Sequence, residues 1–136
     1  AIWWHTSGKP AKLVTYRNGA KHGRFSQYHE RGREVLRLTY RRGRLHGPWK
    51  SWYVHGVRSG RGTYKQGKLE GRLVIYHPGG GKSDAGRYEA NQRQGRWTFY
   101  HRNGKKAVEG SYKDDEPTGS WTIFDDKGKA LREVKH

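Results

Sequence analysis

The chain of 136 residues contains no cysteine and no methionine. The first absence excludes disulfides and thiolate metal sites. The second, with Ala1 as the first residue, means the initiator is missing. Either a leader was removed or the ends were trimmed, and both readings stay open. No stretch approaches the roughly 18 consecutive apolar residues of a transmembrane helix, and no targeting segment is visible. Hydrophobic residues reach only 31%, too few for a thick apolar core. Acidic residues are scarce too, 12 against 29 basic ones, for a net charge of +17. Catalytic signatures are lacking: there is no G-x-S-x-G, no H-E-x-x-H, no Walker lysine and no cysteine nucleophile. The acidic run Asp114-Asp115-Glu116 precedes Pro117 and reads as a solvated turn. No catalytic residue, cofactor or small-molecule substrate is therefore expected.

What is present is ordered and periodic. Aromatics make up 13% of the chain and glycine contributes 20 residues, a composition unlike that of disordered segments. Tyr16, Tyr40, Tyr64, Tyr88 and Tyr112 recur every 24 residues. Gly23, Gly47, Gly71, Gly95 and Gly119 keep the same step, as do Gly8, Gly32, Gly56, Gly80, Gly104 and Gly128. Gly62, Gly86 and Gly110 each precede a repeat tyrosine by two residues. Phe25, Trp49, Trp97 and Trp121 form one ring column, with Leu73 as its exception; Trp4, Tyr28, Trp52, Tyr76, Tyr100 and Phe124 form another. One register without insertions means one backbone repeated, and such periodicity marks a repeat architecture.

Each unit reads as two strands and two turns. Asn18-Gly19 and Asn103-Gly104 are hairpin-turn signals, and the segments between turns are short and rich in Tyr, Trp, Thr and Val. The fold class is all-β. We expect an elongated single-layer twisted antiparallel meander of about five and a half β-hairpin repeats, advancing about 9.6 Å per unit. The whole chain, 1–136, forms one domain with units 16–39, 40–63, 64–87, 88–111 and 112–135 after a partial unit 1–15. Trp49 and Trp52 are three residues apart, so regular strands point them to opposite faces. Either both faces carry rings, or a bulge returns them to one side.

These residues resemble the MORN repeat in its bacterial variant, G-x-W-x-x-Y-x-x-x-G followed by G-x-Y-x-x-G. The clearest copy runs from Gly95 and Trp97 through Tyr100 and Gly104 to Gly110 and Tyr112. The departures are Asn91 and Asp115 where other units carry Gly19, Gly43 and Gly67, and Leu38 where later units carry glycine. The resemblance implies a non-enzymatic module for protein binding, assembly or contact with acidic phospholipids. It also implies an antitoxin-like grouping among bacterial proteins. The compartment is unknown from the sequence: a bacterial cytoplasm, or the periplasm or exterior if a leader preceding Ala1 was removed.

Charge directs the functional reading. Residues 1–69 carry 16 basic and 2 acidic side chains, net +14, whereas residues 70–136 carry 13 and 10, net +3. Arg31, Arg33, Arg37, Arg41, Arg42 and Arg44 lie within fourteen residues, and Arg17, Arg41 and Lys65 share a repeat column. Guanidinium forks suit carboxylate and phosphate. These eight residues are the candidate partner-binding set, set against a plain solvated face that blocks edge aggregation. The favoured function is a scaffold for an acidic protein, antitoxin- or immunity-like; the alternative is direct binding of anionic phospholipid headgroups, nucleic acid or an acidic glycan. The sequence leaves the oligomeric state open. The aromatic columns read as core, with Trp3 off the columns as a candidate exposed contact. His5, His29, His77 and His101 also form a column. Equivalent residues about 9.6 Å apart do not share an ion whose ligands sit about 2 Å from it, so no metal site is expected.

Overall fold

The computed structural model describes all residues, 1–136. It contains no helix and fourteen strands: β1 Ile2–Trp4, β2 Pro10–Arg17, β3 Ala20–Tyr28, β4 Glu34–Arg41, β5 Arg44–Leu45, β6 Gly47–Trp52, β7 Arg58–Lys65, β8 Lys68–Leu69, β9 Gly71–Tyr76, β10 Lys82–Glu89, β11 Gln92–Tyr100, β12 Lys106–Lys113, β13 Glu116–Phe124 and β14 Ala130–Lys135. All lie in one open sheet, each strand antiparallel to its chain neighbour; the two-residue β5 and β8 pair with β4 and β7. The expected all-β hairpin meander is the architecture observed.

Two kinds of turn alternate along the sheet. At one edge, two-residue loops place both central residues at positive φ: Asn18 and Gly19, Arg42 and Gly43, Gln66 and Gly67, Ala90 and Asn91, Asp114 and Asp115. That is the type I′ geometry, whose twist matches the flanking strands. These turns are bonded to the preceding unit by Gly43 N–H to Lys21 O (2.9 Å), Gly67 to Leu45 (2.7 Å), Asn91 to Leu69 (3.0 Å) and Asp115 to Arg93 (3.0 Å). At the opposite edge, the turns close through bonds such as Gly80 N–H to His77 O (2.9 Å), with the Gly8 to Gly128 series all at positive φ.

The histidine column belongs to this second edge. His5 Nε2 lies 2.9 Å from Tyr28 O, His77 Nε2 3.0 Å from Tyr100 O, and His101 Nε2 3.1 Å from Phe124 O. Tyr53, in the same column, donates its hydroxyl to Tyr76 O at 2.5 Å. Each of these four side chains donates to a carbonyl of the following unit and staples neighbouring hairpins, whereas the His29 ring accepts the Arg31 N–H at 3.2 Å within its own turn.

Both faces carry rings. Cross-strand partners share a face, so Trp49, Gly62, Leu73, Gly86, Trp97, Gly110 and Trp121 define one face through their registers. Trp52, Tyr76 and Tyr100, three residues further along their strands than the first column, lie on the other. On the first face the rings shield one another: Trp97 packs edge-on to Tyr88 and Tyr112, and Trp121 to Tyr112, at centroid distances of 5.0–6.0 Å. Only 10 of 136 residues are buried, and the accessible surface is 8989 Å², against roughly 7,300 Å² for a compact monomer of this mass. The core is thus a row of rings on an open sheet, and function must reside on a surface.

Candidate functional site

On the face opposite the Trp97 row, the sheet forms an open trough of about 680 Å³ spanning β6 to β11. Its register follows from the pairings Lys50 with Arg61, Arg61 with Val74, Val74 with Ala85, and Ala85 with Thr98; alongside, Arg72 pairs with Arg87. Val74 and Thr98 are buried in the floor. Lys50, Arg61, Arg72, Lys82, Arg87 and Arg96 rise around it, all exposed. Long basic chains here cover a small-residue floor with their stems while their charged heads stay in water. No carboxylate is among the lining residues.

Acids stand at its flanks. Glu109 pairs with Arg96 at 2.5 Å and Lys106 at 2.8 Å, and accepts the Thr98 hydroxyl at 3.1 Å. Burial pushes the Glu109 carboxyl up, but the bonds from Lys106 and Thr98 and the charges of Lys106 and Arg96 hold it below its ordinary value. Beyond the other flank, Arg37 on β4 pairs with Glu34 and stacks 5.1 Å from the Trp52 ring centroid. Burial likewise raises Glu34, and Arg37 and Ser26 outweigh it, leaving that carboxyl depressed. Arg87 meets Glu89 only at 3.4 Å between exposed groups. Arg61 donates to the Tyr76 hydroxyl at 3.0 Å. Lys50, Arg72 and Lys82 make no ion pair or side-chain hydrogen bond.

The basic residues singled out by sequence fall in three places. Arg41, Arg42 and Arg44 converge at the β4–β5 turn with His46 and Gln66 around a second open recess of about 450 Å³ that has no acidic lining. Arg17 and Lys65 end β2 and β7 at that same edge, immediately before the turns on either side. Arg31 and Arg33 occupy the β3–β4 turn at the opposite edge, where Arg33 donates to His55 O at 3.1 Å. The eight residues of β4 separate these two groups by roughly 23 Å. Arg37 alone lies in the middle of the sheet, engaged by Glu34.

The trough cations escaped the sequence reading because they come from different repeat columns; only Arg72 and Arg96 are 24 apart. The signal lay in the pairing register: once each hairpin is aligned, Lys50 meets Arg61 and Arg72 meets Arg87. No group of three His, Cys, Asp or Glu is arranged to hold a metal ion. No helix is long and apolar enough to cross a membrane.

Residues 93–114 match the family model described as "MORN repeat variant". That span holds the Gly95-to-Tyr112 copy, so the chain carries a MORN-type repeat there. No curated protein matches the chain. Among solved structures it is similar to "Crystal structure of GtfA/B complex bound to UDP and GlcNAc", with 17% identity and a TM-score of 0.36. The match covers 91% of this chain and 24% of that one. Likeness at this level carries no inference about activity.

Proposed function

We propose that this MORN-type sheet is a non-catalytic scaffold that binds an acidic macromolecular partner through its basic face, and that the partner is a protein. One observation carries the reading: six exposed cations surround a small-residue trough that no carboxylate lines. A sheet that merely needed solubility would intersperse both signs, as the unit from Lys113 to Lys135 does. A concentrated field of one sign steers an oppositely charged partner and raises its association rate. The open, one-layer architecture offers no water-excluding pocket of the kind chemistry needs. An antitoxin- or immunity-like role is the finer form of this proposal, and its support is the family resemblance alone.

The test begins with affinity capture from the native source and identification by mass spectrometry, followed by titration of the captured protein. Lys50→Gln with Arg72→Gln removes two cations that hold nothing else, and should weaken binding roughly tenfold, mainly through the association rate. Lys127→Gln with Lys129→Gln removes the same charge from a turn remote from the trough. Equal losses in both variants would show that net charge alone governs binding. Recovery of nucleic acid, with a steep log-linear dependence on salt, would replace the protein partner with a polyanion.

A further inference from the structure

The trough does not run the length of the sheet. Along its central row the residues are Arg37, Lys50, Arg61, Val74, Ala85, Thr98, Glu109, Thr122 and Glu133. Past Arg37 the row continues through Ser26, Leu13 and Ile2; Arg37 is its first cation and is paired with Glu34, and Glu109 is its first carboxylate. Between these two carboxylates, Lys50, Arg61, Arg72, Arg87 and Arg96 are contributed one per strand by β6, β7, β9, β10 and β11. Five strands with four gaps span roughly 19 Å at about 4.8 Å per strand.

We infer that the trough is a bounded site for one short, extended acidic peptide segment, delimited at its ends by Glu34 and Glu109. This rests on the reading of the basic face as a protein-binding surface. An extended chain advances about 3.3 Å per residue, so roughly six residues fill the span. A longer acidic run would bring its next carboxylates against Glu109 on one side or Glu34 on the other. At each end the nearest cation is already engaged by the glutamate, Arg37 by Glu34 and Lys106 by Glu109, so added peptide carboxylates approach a carboxylate whose cation is taken, and this sets the length limit. Both glutamates are held in place by partners of their own: Glu109 by Arg96, Lys106 and Thr98, and Glu34 by Arg37.

The same face disfavours a nucleic acid. Sequence-independent binding of single strands combines a continuous basic groove with ring faces free for base stacking. Here the groove ends after five strands, and guanidinium groups already lie over the rings: Arg37 5.1 Å from the Trp52 centroid and Arg58 4.5 Å from that of Tyr76. The site therefore matches discrete carboxylates better than a continuous phosphate chain.

The experiment uses the full chain and fluorescein-labelled oligoglutamates of about four, six, eight and twelve residues, the lengths bracketing the span. An oligothymidylate of about twelve nucleotides is included as a nucleic-acid probe. All are titrated at low ionic strength, where screening is weakest. Affinity should climb to about six residues and then level off. Glu109→Gln should tighten the longest peptide roughly three- to tenfold and leave the shortest nearly unchanged, moving the plateau to greater length. Lys50→Gln with Arg72→Gln should weaken every peptide about tenfold. Amide shifts of the unaltered chain with the six-residue peptide give a readout independent of any variant, and they should fall within 48–98 and stop at Glu109. A steady rise of affinity with length, an unmoved plateau in Glu109→Gln, or shifts extending through β12 and β13 would overturn the bounded site while leaving an acid-binding face. Undiminished peptide binding after Lys50→Gln with Arg72→Gln would remove the basic-face reading as well. Tighter binding of the oligothymidylate than of the longest peptide would assign the trough to nucleic acid instead.

Discussion

The ring column shows how one side chain answers its neighbours. A Cβ added at Gly86 would sit 2.1 Å from the Trp97 ring, and one at Gly110 would sit 2.1 Å from Trp121. Each indole thus lies over bare backbone eleven residues earlier, and its N–H reaches a carbonyl: Trp97 Nε1 to Arg87 O and Trp121 Nε1 to Ser111 O, both at 3.2 Å. At the position eleven residues before Trp49 stands Leu38, which brings a side chain where Gly86 and Gly110 leave bare backbone. Trp49 turns the other way, over Gly62, where a Cβ would meet its Nε1 at 2.6 Å. The space there is open because Leu73 replaces the next indole. The outcome is a buried indole N–H without a partner. An unpaired buried donor costs about 1–3 kcal/mol, and replacing it by an apolar group of similar shape is close to neutral. Trp49→Phe loses ring volume but removes the unpaired donor, so it should cost less than about 1 kcal/mol, while Trp97→Phe loses the same volume and also a hydrogen bond and should cost about 2–3 kcal/mol. Urea melts of the two variants check this, and equal destabilisation would mean the two indoles are not in different states.

At the scale of the hairpin, the type I′ turns explain why the repeat tolerates losing a glycine. Asn91 and Asp115 replace Gly19, Gly43 and Gly67, yet their φ values of 71° and 72° keep the glycine geometry. Asn and Asp enter this region because a short polar side chain bonds locally. Here the bonds reach the neighbouring unit: Asn91 Oδ1 accepts from Leu69 N–H at 2.8 Å, and Asp115 Oδ1 from Arg93 N–H at 3.2 Å and Arg93 Nε at 2.5 Å. Asn91→Gly should then cost only a few tenths of a kcal/mol, giving up one hydrogen bond while relaxing the backbone. Asn91→Ala keeps the strain of the left-handed region and loses the bond, so it should cost about 2 kcal/mol. Thermal melts that rank the two variants the other way would contradict this account of the turn. The same feature marks what was legible in the sequence. Spacing fixed the hairpins, because each unit keeps its length. It left open on which face each ring lies, because that depends on the strand parity between Trp49 and Trp52 and not on the column.

At the scale of the whole molecule, the fold was more legible than the site, for a physical reason. Periodicity reports residues that do the same job in every unit, such as Tyr64 and Tyr88. A binding surface is made by residues that differ between units: Lys50 and Arg61, and likewise Arg72 and Arg87, become neighbours only through the pairing register. Linear density pointed instead to residues 31–44, which the turns distribute to opposite edges of the sheet.

The same distribution of charge governs how the molecule should respond to acid. Glu34, Glu109, Asp115 and Asp125 all have carboxyls held below their ordinary values, the first two by pairing that outweighs burial. Asp115 is lowered first by its bond from Arg93, and Asp125 by the backbone N–H of Lys129. A depressed folded-state value means that the unfolded chain binds protons first as pH falls. Their contribution is therefore complete above the ordinary carboxylate range near pH 4, and it drains away as pH drops through the lower folded values. Protonation also adds to a chain already at +17, and self-repulsion reinforces the loss. Thermal melts should thus show little carboxylate-linked change from neutrality to about pH 5 and a steep fall below about pH 4. Glu109→Gln isolates one group: it should melt lower than the unaltered chain near neutrality, where Arg96 and Lys106 lose their partner. The gap should close as pH falls through the lowered folded-state value of Glu109, where both proteins come to carry a neutral side chain at that position. A gap that persists unchanged at low pH would mean that Glu109 stabilises the sheet by packing rather than by charge.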